Sequence, residues 1–146
     1  MKKIIFFLSM ISVLQISAQN KDETAIKQVL EKESATWREG DVEAHAECWE
    51  IKPYSRILIS TGDGKLIDLP PEYMINPPED MMGGGGTSEN SNYRMNISGN
   101  NAWVSHDEVS ISKNGEKSYS SEFRILEKIE GKWKLVGQSI HIRPNN

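Results

Sequence analysis

The chain contains one cysteine, Cys48, so it can form no disulfide within itself, and stability has to come from packing. Cys48 follows helix-forming residues and has no basic activator nearby in sequence, the setting of a buried inert thiol rather than a nucleophile. The sequence also lacks a long apolar run. Its one apolar stretch, Ile4 to Ile16, is broken by Ser9, Ser12 and Gln15 and is shorter than a membrane-spanning helix requires. No cysteine ends that stretch, which excludes a lipoprotein anchor. Basic excess is missing too: 17 Lys and Arg face 21 Asp and Glu, which disfavours nucleic acid and anionic membrane surfaces as partners. The three histidines, His45, His106 and His141, are scattered without metal-ligand spacing, so neither a metal nor another cofactor is expected. No internal repeat is evident.

The N-terminus supplies an export pattern. Lys2 and Lys3 precede the apolar stretch, and Ile16-Ser17-Ala18 offers a small-residue cleavage site, so residues 1–18 are expected to be a signal peptide cut near Ala18-Gln19. The mature protein is then secreted or periplasmic. Residues 19–146 are enough for one domain and too few for two.

Between Asp22 and Glu39, Ile26, Val29, Leu30 and Trp37 recur near helical spacing with charged residues between them, which predicts a first helix. Gly40 suits its stop, and Asp41 can cap a short second helix carrying Val42, Ala46 and Trp49. Two short strands, 56–60 and 65–68, flank Thr61-Gly62-Asp63-Gly64, and Pro70-Pro71 can open a third helix over 72–75. From Asn76 to Ser91, with Pro77-Pro78 and four consecutive glycines at 83–86, no periodicity survives, and a mobile loop is expected. The last third reads as four strands, 92–98, 102–112, 117–128 and 132–142, in an antiparallel meander. The class is α+β, with helices covering one face of the sheet.

Taking Asn114-Gly115 and Glu130-Gly131 as two-residue turns sets a register. Lys113 faces Glu116, Asp107 faces Glu122, Ser105 faces Arg124, and Trp103 faces Leu126. In the next hairpin Glu122 faces Ser139, Arg124 faces Gly137, and Ser120 faces His141. One face then carries Trp103, Ser105, Asp107, Ser120, Glu122, Arg124, Ser139 and His141, where small residues leave room and charged ones supply chemistry. The other face carries Val104, His106, Phe123, Ile125, Val136, Gln138 and Ile140. That second face is apolar enough to need a cover, and a homodimer through Phe123, Ile125, Val136 and Ile140 provides one.

Three functions fit these residues. In a binding module, Arg124 holds a small anionic ligand through a two-pronged contact, with Trp103, Ser105 and Ser139 beside it. In an enzyme, Asp107 or Glu122 acts as general base while Arg124 or His141 stabilises negative charge. In a dimeric interaction protein, the pocket has no ligand. A structural alternative also stands, in which Arg124 only pairs with Glu122 and Asp107.

Several segments resemble the nuclear-transport-factor-2-like superfamily, in its secreted SnoaL-like branch near the calcium/calmodulin kinase association domains. They are Ala35-Thr36-Trp37-Arg38-Glu39-Gly40-Asp41, Gly99-Asn100-Asn101-Ala102-Trp103-Val104, Glu122-Phe123-Arg124-Ile125-Leu126 and Gly131-Lys132-Trp133-Lys134-Leu135-Val136. The resemblance spans residues 22–142 and implies a cone-shaped sheet curled round a cavity, with Arg124 pointing inward and Trp37 and Tyr54 or Tyr73 as walls. It also implies a range of activities, from isomerases, dehydratases and cyclases to members without known catalysis, so the fold does not choose among them. Where the kinase association relatives carry His-x-His after the last-strand tryptophan, this chain has Gly137-Gln138-Ser139.

Overall fold

The computed structural model describes the backbone of residues 2–144 and the side chains of residues 20–144. The expected export signal, 1–18, lies outside the residues whose side chains are described.

A first helix, α1 (Lys2–Glu39), presents Ile26 and Leu30 to the interior, four residues apart and so on one helical face. It stops at Gly40, whose amide bonds back to the Thr36 carbonyl at 3.0 Å. Asp41 caps the short α2 (Val42–Ala46) by accepting from the Ala44 amide at 3.0 Å. Two strands follow, β1 (Ile57–Ser60) and β2 (Leu66–Leu69), then a 3-10 turn over Pro71–Met74 where a third helix was expected. Four long strands complete the chain: β3 (Thr87–Ser98), β4 (Asn101–Ile111), β5 (Lys117–Ile129) and β6 (Lys132–Arg143).

The strands form one open, curved sheet in the order β2-β1-β6-β5-β4-β3, antiparallel throughout except where β1 runs parallel to β6. The architecture is α+β, as the element order implies. α1 packs on the inner face, where Ile26 and Leu30 join Val104, Leu126, Leu135 and Trp133 in the core. Burying such side chains stabilises by about 1.5–3 kcal/mol each, which offsets the absent disulfides.

The register differs from the expected one at two places, and each has a local cause. The β4–β5 turn holds three residues, not two: the Ser112 amide donates to the Glu116 carbonyl and the Gly115 amide to the Ser112 carbonyl, both at 2.9 Å, and Gly115 takes the left-handed φ of +85° that such a loop needs. The slip pairs His106 with Glu122, Val104 with Arg124 and Ser105 with Phe123. The β5–β6 turn is the expected two-residue one, with Glu130 and Gly131 both at positive φ. Beyond it, however, Val136 is an extra residue on β6, since Ile125 pairs with Gly137 and Leu126 with Leu135. Arg124 therefore faces Gln138, and Glu122 faces Ile140. A one-residue slip moves each side chain to the opposite face.

The segment expected as loop from 76 to 91 is shorter than that, because Thr87 to Ser91 pair with β4 as the start of β3. Those residues are polar and show no apolar alternation, so pairing alone makes them a strand. The glycine run before them is tied to the end of α1. The Gly83 and Gly85 amides donate to the Trp37 and Arg38 carbonyls at 2.9 and 2.8 Å, satisfying carbonyls that a helix end leaves open. Gly86, at φ +86°, passes so near β4 that a Cβ there would lie 2.1 Å from the Ile111 carbonyl oxygen.

Candidate ligand site

Between α1 and the inner face of the sheet lies a cavity of about 400 Å³. α1 contributes Glu33, Ser34, Trp37 and Arg38. β4 and β5 contribute Glu108, Ser110, Ser120, Glu122 and Arg124, and β6 contributes Gln138, Ile140 and Ile142. Met74 of the 3-10 turn, Met81, Ile59 and Leu69 add apolar wall. One end is thus ionic and the rest largely hydrocarbon and aromatic.

The ionic end is buried and closely bonded. Arg124 donates from Nε to Glu122 Oε2 at 3.1 Å and from Nη2 to the same oxygen, while Ser120 Oγ donates to Glu122 Oε1 at 2.9 Å. Glu33 Oε2 stands 3.6 Å from Arg124 Nη1, and Glu33 Oε1 stands 3.8 Å from His45 Nε2. Behind Glu122, His106 Nε2 approaches its Oε2 at 3.6 Å, and the Tyr93 ring packs against the His106 ring at 5.3 Å. A second ion pair also lines the cavity: Arg38 Nη2 donates to Glu108 Oε1 at 2.5 Å, and Ser34 Oγ donates to Glu108 Oε2 at 2.9 Å.

Charge states follow from these contacts. Burial works against the charged form of Glu122, but Arg124, His106 and the Ser120 hydrogen bond outweigh it and hold its carboxyl below the usual glutamate value. Burial likewise opposes the Arg124 charge, yet Glu122 and Glu33 raise its pKa above the ordinary arginine value. Both inner histidines go the other way: burial pushes His45 and His106 below the ordinary histidine value despite Glu33 beside one and Glu122 beside the other. They are neutral at neutral pH. Burial also pushes the Cys48 thiol up to about 11, so it is not a thiolate.

Of the residues expected at the site, Arg124, Glu122 and Trp37 line the cavity. Trp103, Ser105, Asp107, Ser139 and His141 do not. The two register differences put them on the outer face, where Asp107 accepts from Asn92 and Ser121, and Ser139 Oγ and His141 Nε2 share a hydrogen bond at 2.9 Å. Asp107 and His141 are therefore not available to the cavity as base or electrostatic partner. Tyr54 is exposed and bonded to Glu127, away from the cavity, and Tyr73 packs against the core rather than lining it. The expected dimer face is also corrected: Phe123 and Ile125 are outward and exposed, whereas Val136 is the buried bulge residue and Ile140 lines the cavity.

The cavity residues that the sequence reading missed include Glu33, Ser34, Arg38, Glu108, Gln138, Met74 and Met81. A signal for Glu33 existed. It lies three residues after Leu30 and seven after Ile26, so it interrupts the apolar stripe of α1 with a charge that has to be buried. Among the described residues no group of three His, Cys, Asp or Glu side chains is placed to hold a metal ion.

The fold is similar to that of several solved structures. A cystatin-like-fold protein of unknown function from Nostoc punctiforme superposes with TM-score 0.67 at 16% identity, covering 85% of this chain and 92% of that one. An NTF2-like protein with a cystatin-like fold from Novosphingobium aromaticivorans gives TM-score 0.68 at 12% identity, covering 92% and 90%. An NTF-2-like protein of unknown function from Silicibacter pomeroyi gives 0.67 at 16% identity, covering 86% and 98%. No protein-family model matches the sequence, and no curated protein matches it. The chain has the NTF2-like form of the cystatin-like fold.

Proposed function

We propose that the protein is an exported small-molecule-binding protein whose ligand occupies the cavity between α1 and the inner sheet face. The observation that carries this reading is the cavity itself, about 400 Å³ with apolar walls and one buried ionic end. That is the composition of a site that takes an apolar body and orients it by a few polar contacts. Binding is favoured over general-base catalysis because Glu122, the one expected base in the cavity, already accepts from Ser120 and Arg124 on its two oxygens. A carboxylate so engaged is a weak proton acceptor. Export rests on the charged start, the apolar stretch and the Ile16-Ser17-Ala18 site, and a homodimer rests on the exposed outer aromatics.

Native mass spectrometry of protein purified from its own host tests the reading. A retained small molecule, lost when Ile140→Trp fills the cavity, supports it. A wild-type protein that retains nothing and binds no member of a small-molecule library contradicts it. The intact mass of the same sample reports export, since cleavage after Ala18 leaves Gln19 as the first residue.

A further inference from the structure

At the ionic end of the cavity two lining polar atoms have no hydrogen-bond partner among the described residues, and a third lining group is held by ion pairing without a hydrogen bond. Arg124 Nη1 has no hydrogen-bond partner among the described residues, although Arg124 is only 4% exposed. Gln138, its direct cross-strand neighbour and 8% exposed, gives its Nε2 to Met74 Sδ at 3.6 Å, which leaves Oε1 without a donor. Glu33, 5% exposed, accepts no side-chain hydrogen bond among the described residues, with the Arg124 guanidinium at 3.6 Å and the His45 ring at 3.8 Å. A buried polar group without a partner is destabilising, so a ligand that pairs with these groups gains binding free energy from them.

The three groups define a pattern. Arg124 Nη1 is a donor and needs an acceptor, while Gln138 Oε1 and the Glu33 carboxylate are acceptors and need donors. Cavity-lining charge reads the same way: Glu33, Glu108 and Glu122 face Arg38 and Arg124, leaving one formal negative charge in excess. A ligand carboxylate would satisfy Arg124 but place a second acceptor against Glu33 and Gln138. An ammonium would satisfy Glu33 but press a donor against Arg124. A neutral group bearing one acceptor and two N–H donors on neighbouring atoms meets all three.

Resting on the cavity as the binding site, we propose that it selects an apolar-bodied molecule with an uncharged primary carboxamide head. The amide oxygen accepts from Arg124 Nη1, and the amide N–H groups donate to Gln138 Oε1 and Glu33. Trp37, Met74, Ile140 and Ile142 enclose the body.

Matched sets of probes test this, in which an indole, naphthalene or cyclohexane body carries a carboxamide, a carboxylate or an amine on the same one-carbon linker. Titration calorimetry on the purified protein should show the carboxamide binding tighter than both charged partners by roughly tenfold or more, at least for the body that binds best. In Glu33→Gln the carboxylate should gain on the carboxamide, because its repulsion is gone. A carboxylate or amine that equals the carboxamide in the wild type overturns the head-group assignment and leaves the cavity as a binding site. No binding by any probe up to its solubility limit overturns both. An unchanged carboxylate-to-carboxamide ratio in folded Glu33→Gln removes Glu33 from the recognition.

Discussion

Arg124 and Glu122 sit two residues apart on β5, side by side on the inner face, and bond to each other through Nε and Nη2 with both side chains almost wholly buried. The spacing of two puts them on one face, and the low-dielectric interior makes each dependent on the other.

Removing one partner leaves the other charge buried and alone. Glu122→Ala and Arg124→Ala should each destabilise by about 3–5 kcal/mol, whereas replacing both by leucine should cost much less than the sum. Urea unfolding of the two single variants and the double variant checks this. Additive losses would show that the two side chains are not coupled.

Acid should weaken the fold first through its two buried histidines. His45, facing Glu33 and Arg124, and His106, facing Glu122, Arg124 and Glu108, both have folded-state values below the ordinary 6.5. The unfolded chain then binds protons first, so the stability tied to their neutral forms is present above about pH 6.5 and is lost as pH falls toward the folded values. Glu122, lowered from 4.5, adds a further loss below that range. Melting temperature should drop between about pH 7 and pH 5, and His106→Gln should flatten the slope. A profile unchanged by that variant would remove His106 from the effect.

How much of this was readable from the sequence depends on what each feature needs. The end of α1 at Gly40, the Asp41 cap and the Glu130-Gly131 turn are local, because a few neighbouring residues determine them. The inner face of β5 was likewise readable once Glu122, Arg124 and Leu126 were seen to alternate. Which residues of β4 and β6 join them was not. That choice hangs on a three-residue turn where Asn114-Gly115 suggests two, and on Val136, a bulge that no residue type announces. Those two details exchange His106 for Asp107 and Gln138 for Ser139. The cavity half contributed by α1 was hidden differently, since Arg38 resembles a solvated helix residue until the sheet covers it and Glu33 shows only as a charge within the apolar stripe.

The glycine run should not exchange uniformly. Gly83 and Gly85 amides are bonded to the end of α1, whereas Gly84 has no such bond among the described backbone contacts. Amide hydrogen exchange should show protection at Gly83 and Gly85 and fast exchange at Gly84. Equal, fast exchange through all of 83–86 would restore the picture of a freely mobile loop.

We propose that the outer face pairs two copies. Trp103 and Phe123 stack at 5.7 Å with rings 17° from parallel, beside Ile125, and all three remain exposed in the single chain. Exposed contiguous apolar patches are common at contact surfaces, which supports the pairing. Phe123→Asp should shift sedimentation from dimer to monomer without unfolding the protein. A wild type that sediments as a stable monomer at micromolar concentration would contradict the pairing.

The most direct measurement is methyl NMR of the protein labelled at Met and Ile, titrated with the molecule it co-purifies with or with the tightest carboxamide probe. Met74, Met81, Ile59 and Ile140 line the cavity, while Ile125 marks the outer face. Binding in the cavity predicts saturable shifts at the first four and none at Ile125. Shifts confined to Ile125, with the four cavity methyls unmoved, would place the ligand on the outer face and contradict the account.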